Sequence, residues 1–310
     1  MALLVALLWP GAVAQALTAR VSGQPAPVGV SSELTLPKAI VLGLVEGVTE
    51  FLPISSTGHL LVAERLMGIG TRSDAAKEAA DAYAVIIQLG AIGAVLLISW
   101  RRVVDVFAGL LGRSATGKRL LLNLVTAFLP AAALGVALDS TFDSKLLKPT
   151  PVAIAWLVGG VCILLLGRRY RAAKAGGRGL DQLTWQHAGL IGVAQSLALW
   201  PGVSRSLVTI VGAILLGYRL VDAVEFSFLL GLCTLSAAAG YSILKDGSLV
   251  FDSYGTVTPL IGMVVAFVSA AVAVKWMIGY LNSHDLSVFG WYRIAAGVAA
   301  FALIASTTKL

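Results

Sequence analysis

The sequence predicts an all-α polytopic membrane protein: one re-entrant helical hairpin plus three transmembrane helices, twice over, giving six spans and two hairpins in an inverted repeat. Three observations predict it. Of 310 residues, 58% are apolar and 13% charged, against about 25% charged in a soluble domain. Apolar runs of the length a helix needs to cross a bilayer recur along the chain. Two of those runs are interrupted by proline and polar residues at matching places. The alternating in/out pattern of a barrel is absent, so the spans are helices.

Taken in order, residues 1–33 are a signal-like leader and linker. The apolar start ends in Ala14-Gln15-Ala16, a small-residue cleavage pattern, but lacks a positive n-region; an uncleaved tail or a mis-assigned start codon reads equally well. Pro25, Pro27, Gly23 and Gly29 mark the linker. The first repeat, 34–167, holds a broken segment (36–67) and three spans (83–100, 120–138, 152–167). A basic cytoplasmic loop follows, 168–184. The second repeat, 185–310, holds a broken segment (185–217) and three spans (223–244, 257–280, 289–305). The broken segments superpose with a shift of 149 positions, which pairs Gly43 with Gly192, Glu46 with Gln195, Phe51 with Trp200 and Ser55 with Ser204.

Lys and Arg set the orientation. Arg101, Arg102, Arg113, Lys118 and Arg119 crowd one connection, and Arg168, Arg169, Arg171, Lys174 and Arg178 another. Both belong on the cytoplasmic side. Three true spans per half then invert the second half relative to the first. Both termini and the connections at 72–77, 139–148 and 246–254 fall outside. Broken segments that crossed fully would instead make eight spans.

The polar residues of the broken segments carry the chemistry. Glu46 and Glu50 are four apart, so one helix face holds both and they repel. Pro53 ends that helix. Residues 55–59 read as a polar turn with hydroxyls on Ser55, Ser56 and Thr57, backbone freedom at Gly58 and the His59 imidazole. An acid at membrane depth costs roughly 2.5–3.5 kcal/mol, and such groups mark function. In the second break, Arg205 stands among Ser204, Ser206 and Thr209 at a turn that opens a helix. Guanidinium, hydroxyls and helix N–H groups make an anion site, with phosphate the natural anion; the plainer role is neutralising Glu46 or Glu50. The two carboxylates call for a divalent cation, a proton or Arg205. His59, three and four residues after Ser56 and Ser55, suits the base of a serine nucleophile, or attacks phosphorus itself.

These stretches carry a resemblance. Glu46-x-x-x-Glu50-Phe-Leu-Pro-x-Ser-Ser-Thr-Gly-His59 resembles the first signature of the bacterial undecaprenyl-diphosphate phosphatases, the bacitracin-resistance family, and Pro201-Gly-x-Ser-Arg-Ser-x-x-Thr209 resembles the second. The resemblance covers about residues 34–305. It implies hydrolysis of a polyprenyl diphosphate lipid, undecaprenyl diphosphate, to the monophosphate and phosphate, which recycles the carrier for cell-wall polymers. It implies a bacterial inner membrane, a site reached from the periplasmic side, and a divalent metal, Mg or Ca. Residue by residue it implies Glu46 and Glu50 as the acidic pair for metal binding or proton transfer, Ser56 and His59 as nucleophile and partner, and Arg205 with Ser204 and Thr209 as the diphosphate group. The chain departs at Leu207, where the family usually has glycine, which would put bulk beside the phosphate turn.

Other signals are weaker. Gly112-Arg-Ser-Ala-Thr-Gly117-Lys118 fails as a phosphate loop, because Arg119 stands where Ser or Thr must bind Mg. Gly43-x-x-x-Gly47 reads as close helix packing before it reads as a dimer motif, although a homodimer is a possible assembly. The net charge of +7 sits in short connections and is no nucleic-acid signature. Cys162 and Cys233 read as small core residues without a disulfide. The rival function is a transporter or lipid flippase of the same architecture.

Overall fold

The computed structural model describes residues 33–145 and 148–307; the expected leader and linker lie outside the described residues. The described residues are helical, with short turns between helices. In chain order they are α1 (Leu36–Thr49), α2 (Ser56–Met67), α3 (Asp74–Ile86), α4 (Gln88–Ile98), α5 (Trp100–Leu110), α6 (Ala115–Lys145), α7 (Pro149–Leu165), α8 (Gly167–Ala175), α9 (Trp185–Ser196), α10 (Arg205–Leu215), α11 (Leu220–Tyr254), α12 (Val257–Ser283) and α13 (Ser287–Thr307).

Five stretches are long and apolar enough to cross a membrane: Asp74–Ile98, Ala115–Ala137, Leu220–Tyr254, Val257–Ser283 and Ser287–Ser306. A sixth results if α7 and α8, bent by 54° at their junction, count as one span. The helices α1, α2, α9 and α10 have 14, 12, 12 and 11 residues. At about 1.5 Å per residue, none alone covers a ~30 Å hydrocarbon core.

Small residues set how these short helices seat. A side chain added at Gly43 or Gly47 of α1 would run into α12, at Gly262, Val265, Ala266, Ser269 and Ala270. The Ser269 hydroxyl also donates to the Gly43 carbonyl at 3.1 Å. One added at Gly192 of α9 would meet the backbone of Ala127 in α6. Close backbone approach is how helices pack without a hydrophobic driving force, and the Gly43-x-x-x-Gly47 motif is spent inside the chain. The first helix of each broken segment thus lies on a long helix from the other half. Helices α7 and α13 pack on each other through Gly160, Gly290 and Gly297. Phe51, Leu52 and Ile54 of the first break share one apolar core with Leu207, Ile210 and Phe228.

Several expected connections are helical instead. The basic stretch after Ile98 forms α5, which exposes Trp100, Val104, Phe107 and Leu110 on one face. That is the spacing of an amphipathic helix lying in a membrane interface, so its arginines are the polar face of a helix. Its Gly109 sits against the backbone of Gly117 and Lys118 at the start of α6. The stretch after Gly167 forms α8, which buries Tyr170 and Ala173 and exposes its arginines. Residues 246–254 continue α11, because Val250 and Tyr254 bury against Ala79 and Tyr83. The backbone of α6 likewise runs on to Lys145, with no proline or glycine after Gly135 to stop it. Cys162 is exposed rather than core.

Candidate active site

The first break holds its acids on the last turn of α1. Glu46 is fully buried, and Glu50, the residue closing the helix, is 7% exposed. Phe51 to Ile54 make the turn around Pro53. Ser55 then takes φ 74°, a left-handed conformation that costs a non-glycine residue of order 1–3 kcal/mol. It aims Ser56 back at Glu50, so that the Ser56 hydroxyl donates to Glu50 Oε2. The expected polar turn at 55–59 is therefore one strained residue followed by helix. Gly58 is helical; it is small because a side chain there would strike Trp156 and Val152 of α7.

The second break repeats the device. Among the described non-glycine residues, only Ser55 and Ser204 have positive φ, 74° and 71°, and they are 149 positions apart. Ser204 caps α10, accepting from the Leu207 N–H at 3.3 Å. Its hydroxyl also pairs with the Ser206 hydroxyl at 3.1 Å.

The two breaks meet. Arg205 Nη2 donates to Glu50 Oε1 at 3.1 Å, with both side chains almost fully buried. Arg205 Nη1 donates to the Ser227 carbonyl at 2.9 Å. Its guanidinium lies 5.3 Å from the centre of the Phe51 ring, in space left by Gly231. Ser206 donates to the Leu52 carbonyl at 2.9 Å, a second link between the breaks. Thr209 bonds the Arg205 carbonyl at 2.9 Å and the Ser227 hydroxyl at 2.7 Å. Ser206 and Thr209, expected to face a diphosphate, are fully buried, and their hydroxyls bond groups of the protein itself. Thr57 points to the exposed side.

Both ring nitrogens of His59 bond groups other than the hydroxyl it was expected to activate. Its Nδ1 lies 2.7 Å from the Ser55 carbonyl and its Nε2 2.8 Å from the Tyr292 hydroxyl. A carbonyl only accepts, so Nδ1 carries the proton and, in the neutral ring, Nε2 accepts from Tyr292. Trp156 and Tyr292 flank the ring at 4.5 and 5.6 Å between centres. The carboxylate adjoining Ser56 is that of Glu50.

Three further groups escaped the sequence reading. Tyr292 is one. Arg293, fully buried in α13, is the second; it bonds carbonyls of both breaks. A lone guanidinium inside the last apolar run is the signal that would have found it. Glu64 of α2 is the third, buried with Oε1 unpartnered. Leu207 does not crowd the phosphate turn: its side chain is buried in the apolar core.

Buried polar atoms ordinarily have hydrogen-bond partners, so those without one call for an explanation. Both Glu46 oxygens, both amide atoms of Gln195 and Arg205 Nε have none. Among the described residues no group of three or more His, Cys, Asp or Glu is placed to hold a metal ion. A cation here would have the carboxylates of Glu46 and Glu50, and the free oxygens of Glu46 suit a hard ion.

Fold and site together define an integral membrane protein with a buried acid–hydroxyl–guanidinium centre made by two interrupted helical segments. Over residues 39–299 the chain matches the family described as bacitracin resistance protein BacA, and it belongs to that family. It is 45% identical over 267 residues to undecaprenyl-diphosphatase 2 of Rhodospirillum rubrum, covering 86% of this chain and 94% of that one. It is 41% identical over 277 residues to the undecaprenyl-diphosphatase of Methylibium petroleiphilum, covering 85% and 93%. With the undecaprenyl-diphosphatase of Nitrosomonas europaea it shares 43% identity over 266 residues, covering 86% and 93%.

Proposed function

We infer that this chain hydrolyses undecaprenyl diphosphate to undecaprenyl phosphate and phosphate. It is a multi-pass membrane hydrolase, and its product is the carrier lipid of cell-wall synthesis. Family membership and the names of its relatives support this activity. The names of the relatives do not favour the rival transporter or flippase reading.

The site assignment rests on one observation: Glu50 bonds Ser56 with one oxygen and Arg205 with the other. Arg205 and the first turn of α10 take the diphosphate, whose oxygens replace Glu50 on the guanidinium. Glu50 accepts the Ser56 proton as Oγ attacks the terminal phosphorus. The bond to the bridging oxygen breaks, undecaprenyl phosphate leaves, and water then releases phosphate from the serine. Glu46 and Glu50 would hold the divalent ion, Mg or Ca, which neutralises charge on the phosphoryl oxygens when bound.

The architecture we favour is six spans and two re-entrant hairpins in an inverted repeat. Its supports are the paired positive-φ serines, the short broken helices, and the seating of α1 on α12 and α9 on α6. The basic residues of α5 and α8 favour a cytoplasmic placement for those helices, and so a site open to the extracytoplasmic side.

The test is phosphate release from undecaprenyl diphosphate by purified protein in detergent. Glu50→Gln and Arg205→Ala should each lose on the order of 10³-fold in kcat while staying folded, and a chelator should abolish the wild-type rate, restored by Mg or Ca. Wild-type rates in both variants would defeat the site assignment.

A further inference from the structure

We propose that Arg293 is a positioning residue: its guanidinium fixes the spacing of the two hairpin turns, and with it the alignment of Ser56 and Glu50 against Arg205. This rests on the phosphatase reading of the site.

Arg293 is fully buried in α13. Its Nη2 donates to the Gly202 carbonyl at 2.9 Å and the Ala155 carbonyl at 2.8 Å; its Nη1 donates to the Pro53 carbonyl at 3.4 Å. Pro53 and Gly202 are again 149 positions apart. They occupy the same place in the two turns, two residues before the strained serines. One planar fork therefore bonds the equivalent carbonyl of each turn and ties both to α7. A guanidinium suits this task, because its donors are rigidly spaced.

The cation has no carboxylate partner among the described ion pairs. A buried charge held only by carbonyls is costly, and an apolar side chain would fill the same volume at less cost. Packing alone therefore gives no reason for arginine here; two carbonyls that must be held at a set distance do. The surroundings are fitted to it as well: a side chain on Gly159 of α7 would overlap the guanidinium, 2.8 Å from its Cζ. The preceding residue, Tyr292, bonds His59, so adjacent residues of one helix register both the turns and the imidazole.

Two variants test this by independent routes. Arg293→Lys keeps the charge and loses the fork. Gly159→Ala leaves arginine in place and pushes its head off the carbonyls. Steady-state phosphate release from undecaprenyl diphosphate would be measured with melting in the same detergent. A misplacement of about 1 Å costs on the order of 10²-fold. Both variants should therefore lose about that much in kcat, with KM moving less than about threefold, at temperatures where they remain folded. Unchanged kcat in both, alongside an active wild type, would overturn the proposal. So would failure of both to fold, since Arg293 would then serve the fold rather than the alignment. A wild-type protein without phosphate release would defeat the phosphatase reading first, a separate result.

Discussion

The first broken segment stops its helix at Thr49, turns through Pro53 and restarts at Ser56; the second stops at Ser196, turns through Gly202 and restarts at Arg205. Each restart follows a serine held at the same positive φ. Yet around those serines the side chains at matching places differ in kind. Glu46 stands opposite Gln195, Glu50 opposite Leu199, Ser56 opposite Arg205 and Gly58 opposite Leu207. The backbone device is duplicated and the chemistry divided. One copy carries the acids and the hydroxyl, the other the cation, and only their meeting puts a carboxylate, a hydroxyl and a guanidinium together. A single copy would leave either two buried acids or one buried cation without a partner, each costing several kcal/mol.

The sharpest way to break this division is to ask which group serves the nucleophile. Ser56 and Glu50 are bonded within the first copy, while His59 faces Tyr292. Ser56→Ala should lower phosphate release by at least on the order of 10³-fold. His59→Ala should lose less, roughly 10²-fold. A larger loss for His59→Ala would return the imidazole to the reacting centre.

The next effect compares Gly58 with Leu207, the same place in the two copies. Leu207 fills the core, so Leu207→Ala should destabilise by about 2–5 kcal/mol and leave kcat within about twofold. Gly58→Ala forces a methyl onto Trp156 and Val152, costing about 1–3 kcal/mol. It also displaces the turn of α2 that bears Ser56 and His59, so kcat should fall with it. Melting and phosphate release on the same samples separate the two; a Leu207→Ala variant that lost activity in step with Gly58→Ala would put Leu207 in the site after all.

The smallest effect concerns the strained serines. Ser204 caps its helix with its side chain and Ser55 does not. Ser55→Gly should therefore relieve strain and raise stability by about 1 kcal/mol, while Ser204→Gly gains the same relief but loses the cap and ends near neutral. Equal shifts in melting would mean that the cap at Ser204 contributes nothing.

What was legible in the sequence follows from what membrane burial costs. Glu46, Glu50 and Arg205 stand out because charge in an apolar run demands a reason, and the spans stand out because length and hydropathy define them. The direction of His59 was hidden, since its partner lies 233 residues away. The bond from Ser206 to the Leu52 carbonyl was also hidden, because a hydroxyl beside an arginine looks the same in sequence whether it meets phosphate or a carbonyl of the other turn. Arg293 follows Trp291 and Tyr292 near the start of a span, where it passes for an interface anchor. The helix α5 was hidden because its arginines drew the reading toward a loop, while its exposed apolar face has the period of a helix.

A double-mutant cycle on phosphate release joins the two copies most directly. Wild type, Glu50→Gln, Arg205→Gln and the double variant would be compared in kcat/KM for undecaprenyl diphosphate, which refers to the free enzyme, where Glu50 and Arg205 are bonded. If the two segments build one centre, the losses are strongly non-additive, and the double variant is about as slow as the slower single one. Losses that multiply, as for groups acting independently, would contradict the meeting of Glu50 and Arg205 on which the site is built.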